Sequence, residues 1–395
     1  MYLLISYIVL IFSFFLFRKV AGTLSISQPN MISWNYYYQL VLQSFIASIL
    51  VVYEIDNHYL ISKIHNDDVR FQGWLAIQYT MVAMPVGMIL TLFLFGKKKK
   101  KKNFKNYINS PLVGVITKND VLIKQMLYLL SLICVLSVGY TYAYLTANPF
   151  IAILKMSADQ LALLRIINGR NFSGNEYIRN IFAIGLTPIL SYIAYGYVKL
   201  QNKKVDKYWL IILIIASVLI LFYDLQKSPI FFYFFGFIFI NVLLGVKINL
   251  KKLFKYLAMV LILIISMYSH LSSSDSSLDS LFGNYNQGVT GRLFLTQAAG
   301  IYLSFDIFPS SHPFIGFSSL TSLFSYSGNN SERSARIIME TINSKGINEG
   351  TAGVINSLFI SEAWANFGLV GVLIAPLIVG IELQFIYQYQ SHICR

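Results

Sequence analysis

Apolar residues along the chain gather into nine long runs, at about 2–17, 34–54, 74–96, 122–146, 178–198, 208–224, 229–246, 254–271 and 366–387. Most approach the ~20 residues that cross ~30 Å of hydrocarbon as a helix. The pattern therefore predicts an all-α polytopic integral membrane protein with about nine transmembrane helices. The first run is short, and its cations, Arg18 and Lys19, follow it instead of preceding it. That order predicts a retained anchor with its N-terminus outside, not a cleaved leader.

Polar connections set the orientation. Lysines crowd the links at 97–121, 199–207 and 247–255, including the unbroken run Lys97–Lys102. With those links inside, alternation also puts Arg18, Lys19 and Arg395 inside. With Lys124 counted on that side, the inner side holds 20 basic and 3 acidic residues, and the outer side 11 and 14. This follows the positive-inside rule and predicts a cytoplasmic C-terminus. Two connections on the outer side are long, 147–177 and 272–365. The second, between the last two spans, is the larger and is expected to hold short amphipathic helices. Function gathers in such loops on a rigid scaffold.

Composition supports this picture. The chain is 56% hydrophobic and 12% charged, against about a quarter charged for a soluble domain. A net charge of +14 on a soluble protein would suggest nucleic acid. Here the excess is topological, and the lysine run suits anionic headgroups, so no nucleic-acid partner is expected. Two cysteines, Cys134 and Cys394, make no disulfide framework, and five scattered histidines make no structural metal site.

Candidate chemistry lies on the outer side. Arg165, Arg170, Arg179, Arg292, Arg333 and Arg336 are cations where the rule disfavours them, and guanidinium groups bind phosphate bidentately. Glu332–Ile342 reads as an amphipathic helix with Arg333, Arg336 and Glu340 on one face. It reads equally as a surface helix with an Arg336–Glu340 ion pair. His312, in the proline-bracketed FPSSHPFIG, suits a general base, and an exposed loop histidine is the plainer alternative. Lys227 sits in a very short turn, where it is a site residue or a snorkelling anchor. Glu362 falls where 354–365 is expected to form a helix at the outer boundary of the last span. Glu54, Asp56, Asp67 and Asp68 suit a divalent cation or a hydrated turn. No P-loop, dinucleotide-binding glycine pattern, HExxH or GxSxG occurs.

Between about 288 and 380 the chain reads Gly291-Arg292, then Phe314-Ile-Gly316, then Ser361-Glu362-Ala-Trp-Ala-Asn366-Phe367-Gly368-Leu-Val-Gly371. This resembles the bacterial O-antigen and capsule polymerases of the Wzy type. Their large outer loop opens on an arginine, carries an F-x-G turn and closes on an acidic segment ending FGxxG. Lys227 matches a recurring basic position. Members commonly continue with further helices, whereas this chain runs eight residues past Tyr387. Related ligases carry a His-Asn pair where this chain reads Val354-Ile355-Asn356.

The resemblance implies a glycosyltransferase of the bacterial inner (cytoplasmic) membrane. It would polymerise undecaprenyl-pyrophosphate-linked oligosaccharide repeat units into O-antigen or capsule, alongside a flippase and a chain-length regulator. Arg292, Arg333, Arg336, Arg165, Arg170 and Lys227 would hold the pyrophosphate. Glu362, His312 and Glu340 compete as the catalytic base. No cofactor and no obligatory metal are implied. Two rivals stand beside it: a polyprenyl-phosphate-sugar transferase with Asp67 and Asp68 on a metal, and a lipid-linked oligosaccharide flippase, disfavoured by the scarcity of charge in spans six to eight.

Overall fold

The structure, a computed structural model, describes residues 1–94, 119–170, 172–226, 228–245, 258, 289–320, 333–348 and 353–393. Helices dominate and no strand occurs among the described residues. Among the described residues, seven helices are long and apolar enough to cross a bilayer. They make this an all-α, multi-pass membrane protein. They are α1 (Tyr2–Ala21), α2 (Met31–Val52), α3 (Asp68–Leu94), α4 (Asp120–Ala143), α7 (Ile178–Gln201), α8 (Lys204–Phe222) and the stretch Phe359–Tyr389. The seventh predicted run, 229–246, holds a shorter helix, α9 (Ser228–Leu243). The eighth, 254–271, lies outside the described residues apart from position 258. Shorter helices are α5 (Pro149–Lys155), α6 (Ala158–Arg170), α10 (Val289–Phe294), α11 (Thr296–Ile307), α12 (Ser334–Ile342) and α13 (Ser344–Asn348). The last is α14 (Phe359–Ile393).

The chain divides into two compact units, Met1–Tyr107 with Ser276–Arg395, and Ile108–Asp275. In the first unit α3 and α14 pack so closely that two glycines touch backbone. Gly87 lies against the Leu377 carbonyl and Gly380 against the Met84 carbonyl. Small residues at membrane helix crossings permit such approach. Tyr79 Oη donates to the Leu373 carbonyl at 2.9 Å, and Thr91 Oγ1 to that of Ile381 at 3.3 Å. The Trp74 indole joins α3 to Ser6 of α1 at 3.0 Å. α2 begins at a reciprocal cap, where Asn30 Oδ1 accepts from Ser33 N and Ser33 Oγ from Asn30 N, both at 2.8 Å.

α11 is the centre of this unit. Every residue from Ala298 to Ile307 is buried. Its apolar residues are spread around the helix rather than along one stripe, as enclosure requires. Gly73 of α3 leaves room for the Tyr302 ring, and Ser357 sits against Gly300. Ser304 Oγ donates to the Ser361 carbonyl and Ser361 Oγ to the Gly300 carbonyl, both at 2.8 Å, clasping α11 to α14. Burial pushes the Tyr302 phenol above its ordinary range.

In the second unit α4, α7, α8 and α9 bury their contacts around Leu190, Ala194, Leu213, Ala216 and Ile220. Lys124 and the fully buried Asp206 pair at 2.5 Å, and Tyr128 Oη donates to the same carboxylate at 3.0 Å. Arg179 is buried with its guanidinium 4.6 Å from the Phe172 ring and 5.6 Å from that of Tyr223.

Candidate functional site

Beside α11 the first unit holds a pocket of about 330 Å³, at the small end of the range for small-molecule sites. Residues 59–63 form one wall, Thr296 and Gln297 of α11 another, and Met339 and Asn343 at the end of α12 a third. Residues 353–356 close it. Where a helix was predicted across 354–365, residues 353–358 have no helical structure, and α14 starts at Phe359. The non-helical backbone brings Asn356 to the lining.

The lining sets one ammonium, three carboxamides, a hydroxyl and a phenol ring around a small space. Lys63 Nζ donates to the Ile342 carbonyl at 2.6 Å, meeting the last turn of α12 where cations are favoured. Two donors of that ammonium remain. Behind the wall, His58 is fully buried. Its Nδ1 accepts from Leu60 N at 3.3 Å, which assigns the proton to Nε2, 3.1 Å from Thr296 Oγ1. Thr296 Oγ1 donates in turn to the Gly291 carbonyl at 3.4 Å, next to Arg292. Amides, a hydroxyl and a flat ring suit a hydroxyl-rich ligand, and the ammonium suits an anion on it.

Beyond Lys63, Asp306 of α11 gathers three donors. Its Oδ2 accepts from His65 N at 3.1 Å and faces His65 Nδ1 at 2.9 Å, while Oδ1 accepts from Asn66 N at 3.0 Å. The Asp306 side chain is 5% exposed and that of His65 is 82% exposed.

Two sequence motifs meet at the start of α14. Ile315 N donates to the Ala365 carbonyl at 3.0 Å, and Ser319 Oγ lies 2.7 Å from Asn366 Nδ2 and 2.9 Å from its Oδ1. The Phe314 ring covers Gly368, where a Cβ would come within 2.8 Å of it. Gly368 has φ 57° and ψ −137°, a backbone that is essentially glycine's alone. It breaks the helix so sharply that Gly371 touches the Ala363 carbonyl. Eight residues apart in a straight helix would be ~12 Å. Trp364 fixes the short segment before the break. Its ring stacks on Phe305 at 4.1 Å and 8°, and its Nε1 donates to the Phe308 carbonyl at 2.9 Å. Glu362, in that segment's first turn, is exposed.

The remaining predicted residues divide. Arg333 stands exposed at the N-cap of α12, and Arg336 Nε donates to Glu340 Oε1 at 2.7 Å, both side chains about half exposed. His312 is half-buried, edge-on to Phe308, with Nδ1 2.9 Å from the Pro313 carbonyl. The backbone of Arg292 lies in α10 and that of Arg170 at the end of α6. Lys227 lies outside the described residues. Arg292, Arg333, Arg336, His312, Glu340 and Glu362 belong to the first unit, Arg165 and Arg170 to the second. Exposed Arg165 acts on Asp224, whose carboxyl burial pushes above its ordinary range while Gln226 and Arg165 pull it back.

Arg70 pairs with Asp56 and, at 3.2 Å, with Asp67, so two of the four acidic residues of the first loop are engaged by one arginine. No group of three or more His, Cys, Asp or Glu side chains suited to a metal occurs among the described residues. Sequence reasoning passed over Lys63, Gln297, Asn343, Asn356 and the His65–Asp306 pair. Lys63 carried a signal, being a cation in a connection read as outer. The His65–Asp306 contact spans 241 residues and carried none.

No family model, no curated protein and no solved structure matches the chain.

Proposed function

We propose that this protein polymerises undecaprenyl-pyrophosphate-linked oligosaccharide repeat units at the outer face of a bacterial cytoplasmic membrane. In this reading the N-terminus is outside and the C-terminus cytoplasmic. The pocket opens on the outer side, within the large loop and the first connection. The observation that carries the reading is the pocket: a small space lined by carboxamides and a single ammonium, in the unit that also bears the Arg292, F-x-G and FGxxG segments. Sugars need hydrogen-bonding amides and an aromatic wall. A pyrophosphate leaving group needs fixed cations as its charge develops.

Lys63 serves as one cation, with Arg292, Arg333 and Arg336 as the arginines of the same unit. The F-x-G turn and the FGxxG break act together as scaffold, since Phe314 covers Gly368. The metal-dependent rival loses ground because Arg70 already engages Asp56 and Asp67.

The test is deletion of the gene in its host, complemented with wild type, Lys63→Ala or Arg292→Ala, with surface polysaccharide read on a gel. The expected result is a single capped repeat in the deletion, a ladder with wild type and a lost or shortened ladder with either variant. An intact ladder in the deletion refutes polymerisation. Loss of even the single repeat points to the flippase or an earlier transferase.

A further inference from the structure

We infer that His65 is the base that deprotonates the acceptor hydroxyl, with Asp306 as its positioning residue; this rests on the polymerase reading above. Two backbone N–H groups, of His65 and Asn66, hold the Asp306 carboxylate at 3.1 and 3.0 Å. The carboxylate in turn holds the imidazole through Nδ1 at 2.9 Å. Donation from Nδ1 to a carboxylate assigns the proton to Nδ1 and leaves the Nε2 lone pair free to accept. The ring carrying that lone pair is 82% exposed, while the carboxylate behind it is 5% exposed.

A clamp for the loop would need only the two backbone bonds. Holding an exposed ring in one tautomer gains little burial, yet it fixes the side chain in the form that takes a proton. The carboxylate behind the ring also keeps it oriented for that transfer. Two of the three competing groups lack this arrangement. His312 Nδ1 rests on a neutral carbonyl, and Glu340 is engaged by Arg336. His65 also stands near the pocket. Lys63, which lines it, is two residues away, so their Cα atoms lie within ~7 Å of each other.

The step balances. The acceptor hydroxyl oxygen forms the new bond to the donor's anomeric carbon as its proton passes to His65 Nε2. The bond from that carbon to the pyrophosphate oxygen breaks, and the pyrophosphate leaves with the electron pair. The imidazolium then returns its proton to water or to the departing pyrophosphate.

The experiment uses the full-length protein in membrane vesicles and lipid-linked oligosaccharide extracted from the deletion strain, with polymer read against time. Wild type extends the oligosaccharide. His65→Ala keeps both backbone bonds to Asp306, so it folds with an unchanged melting temperature. Its turnover falls ~10²–10⁴-fold with KM within about threefold, and added imidazole restores part of the rate. Asp306→Asn also lowers turnover, and the double variant is no slower than His65→Ala. Turnover of His65→Ala within threefold of wild type overturns the assignment. So does a loss seen only in KM, or one that imidazole does not relieve. Failure of wild type to polymerise overturns the polymerase reading and takes this inference with it.

Discussion

Replacing Gly87 or Gly380 with alanine should force α3 and α14 apart. A Cβ at Gly87 would overlap the Leu377 carbonyl, and one at Gly380 the Met84 carbonyl. Both obstacles are backbone, so no rotamer change relieves them. A normal C···O contact of ~3.3 Å requires the helices to part by on the order of 1 Å at that point. Close-packed interiors lose dispersion contacts steeply over such a gap, and overpacking costs about 1–3 kcal/mol. One separation relieves both sites, so the double variant should cost clearly less than the sum of the two.

Gly139 of α4 provides the control, because a Cβ there meets nothing within 4 Å. Gly139→Ala should be neutral or stabilising by up to ~1 kcal/mol, from helix propensity. The assay is pulse proteolysis in mild detergent across rising fractions of denaturing detergent. If Gly87→Ala and Gly380→Ala both fall within ~0.3 kcal/mol of wild type, the close crossing is refuted; strict additivity of the pair refutes the shared relief.

Other outcomes follow from single contacts. Trp364→Ala removes the ring stacked on Phe305 and the bond to Phe308, and should cost about 3–5 kcal/mol by the same proteolysis assay. Lys124→Met leaves the buried Asp206 unpaired and should cost about 3–5 kcal/mol, whereas Lys124→Met with Asp206→Leu should recover most of it. Asp224 has its folded pKa raised above the ordinary 3.8, so the neutral acid suits the fold and stability falls as pH rises through the raised value. Asp224→Asn should therefore match wild type below about pH 4 and exceed it increasingly above, as thermal melts across pH will read.

Most of the helices were legible from apolar periodicity and length alone, because lipid demands both. Their ends were less so. α3 starts at Asp68, ahead of the run that begins near residue 74, since polar residues extend it toward water and Asp68 suits a helix N-terminus. The Arg336–Glu340 pair was legible because it is local, at i and i+4. Motif residues were legible as letters, but not for what they do. Gly368 and Phe314, 54 positions apart, form one packing unit, and no local rule pairs them. The pocket escaped for the same reason: Lys63, Gln297, Asn343 and Asn356 come from four separate segments, and carboxamides carry no pattern of their own.

The unit containing α11 is split in sequence, and this dictates an order of manufacture. α1, α2 and α3 enter the bilayer early, while the pieces that fill their inner faces, α11 and α14, come from the far end of the chain. Between them the ribosome must make the roughly 170 residues from Ile108 to Asp275. At about 5–20 residues per second this takes roughly 10–30 s. Throughout that interval Gly73, Gly87 and their neighbours present an unfilled seam to the lipid. An insertion chaperone would meet that seam first, before the chain's own last helix arrives.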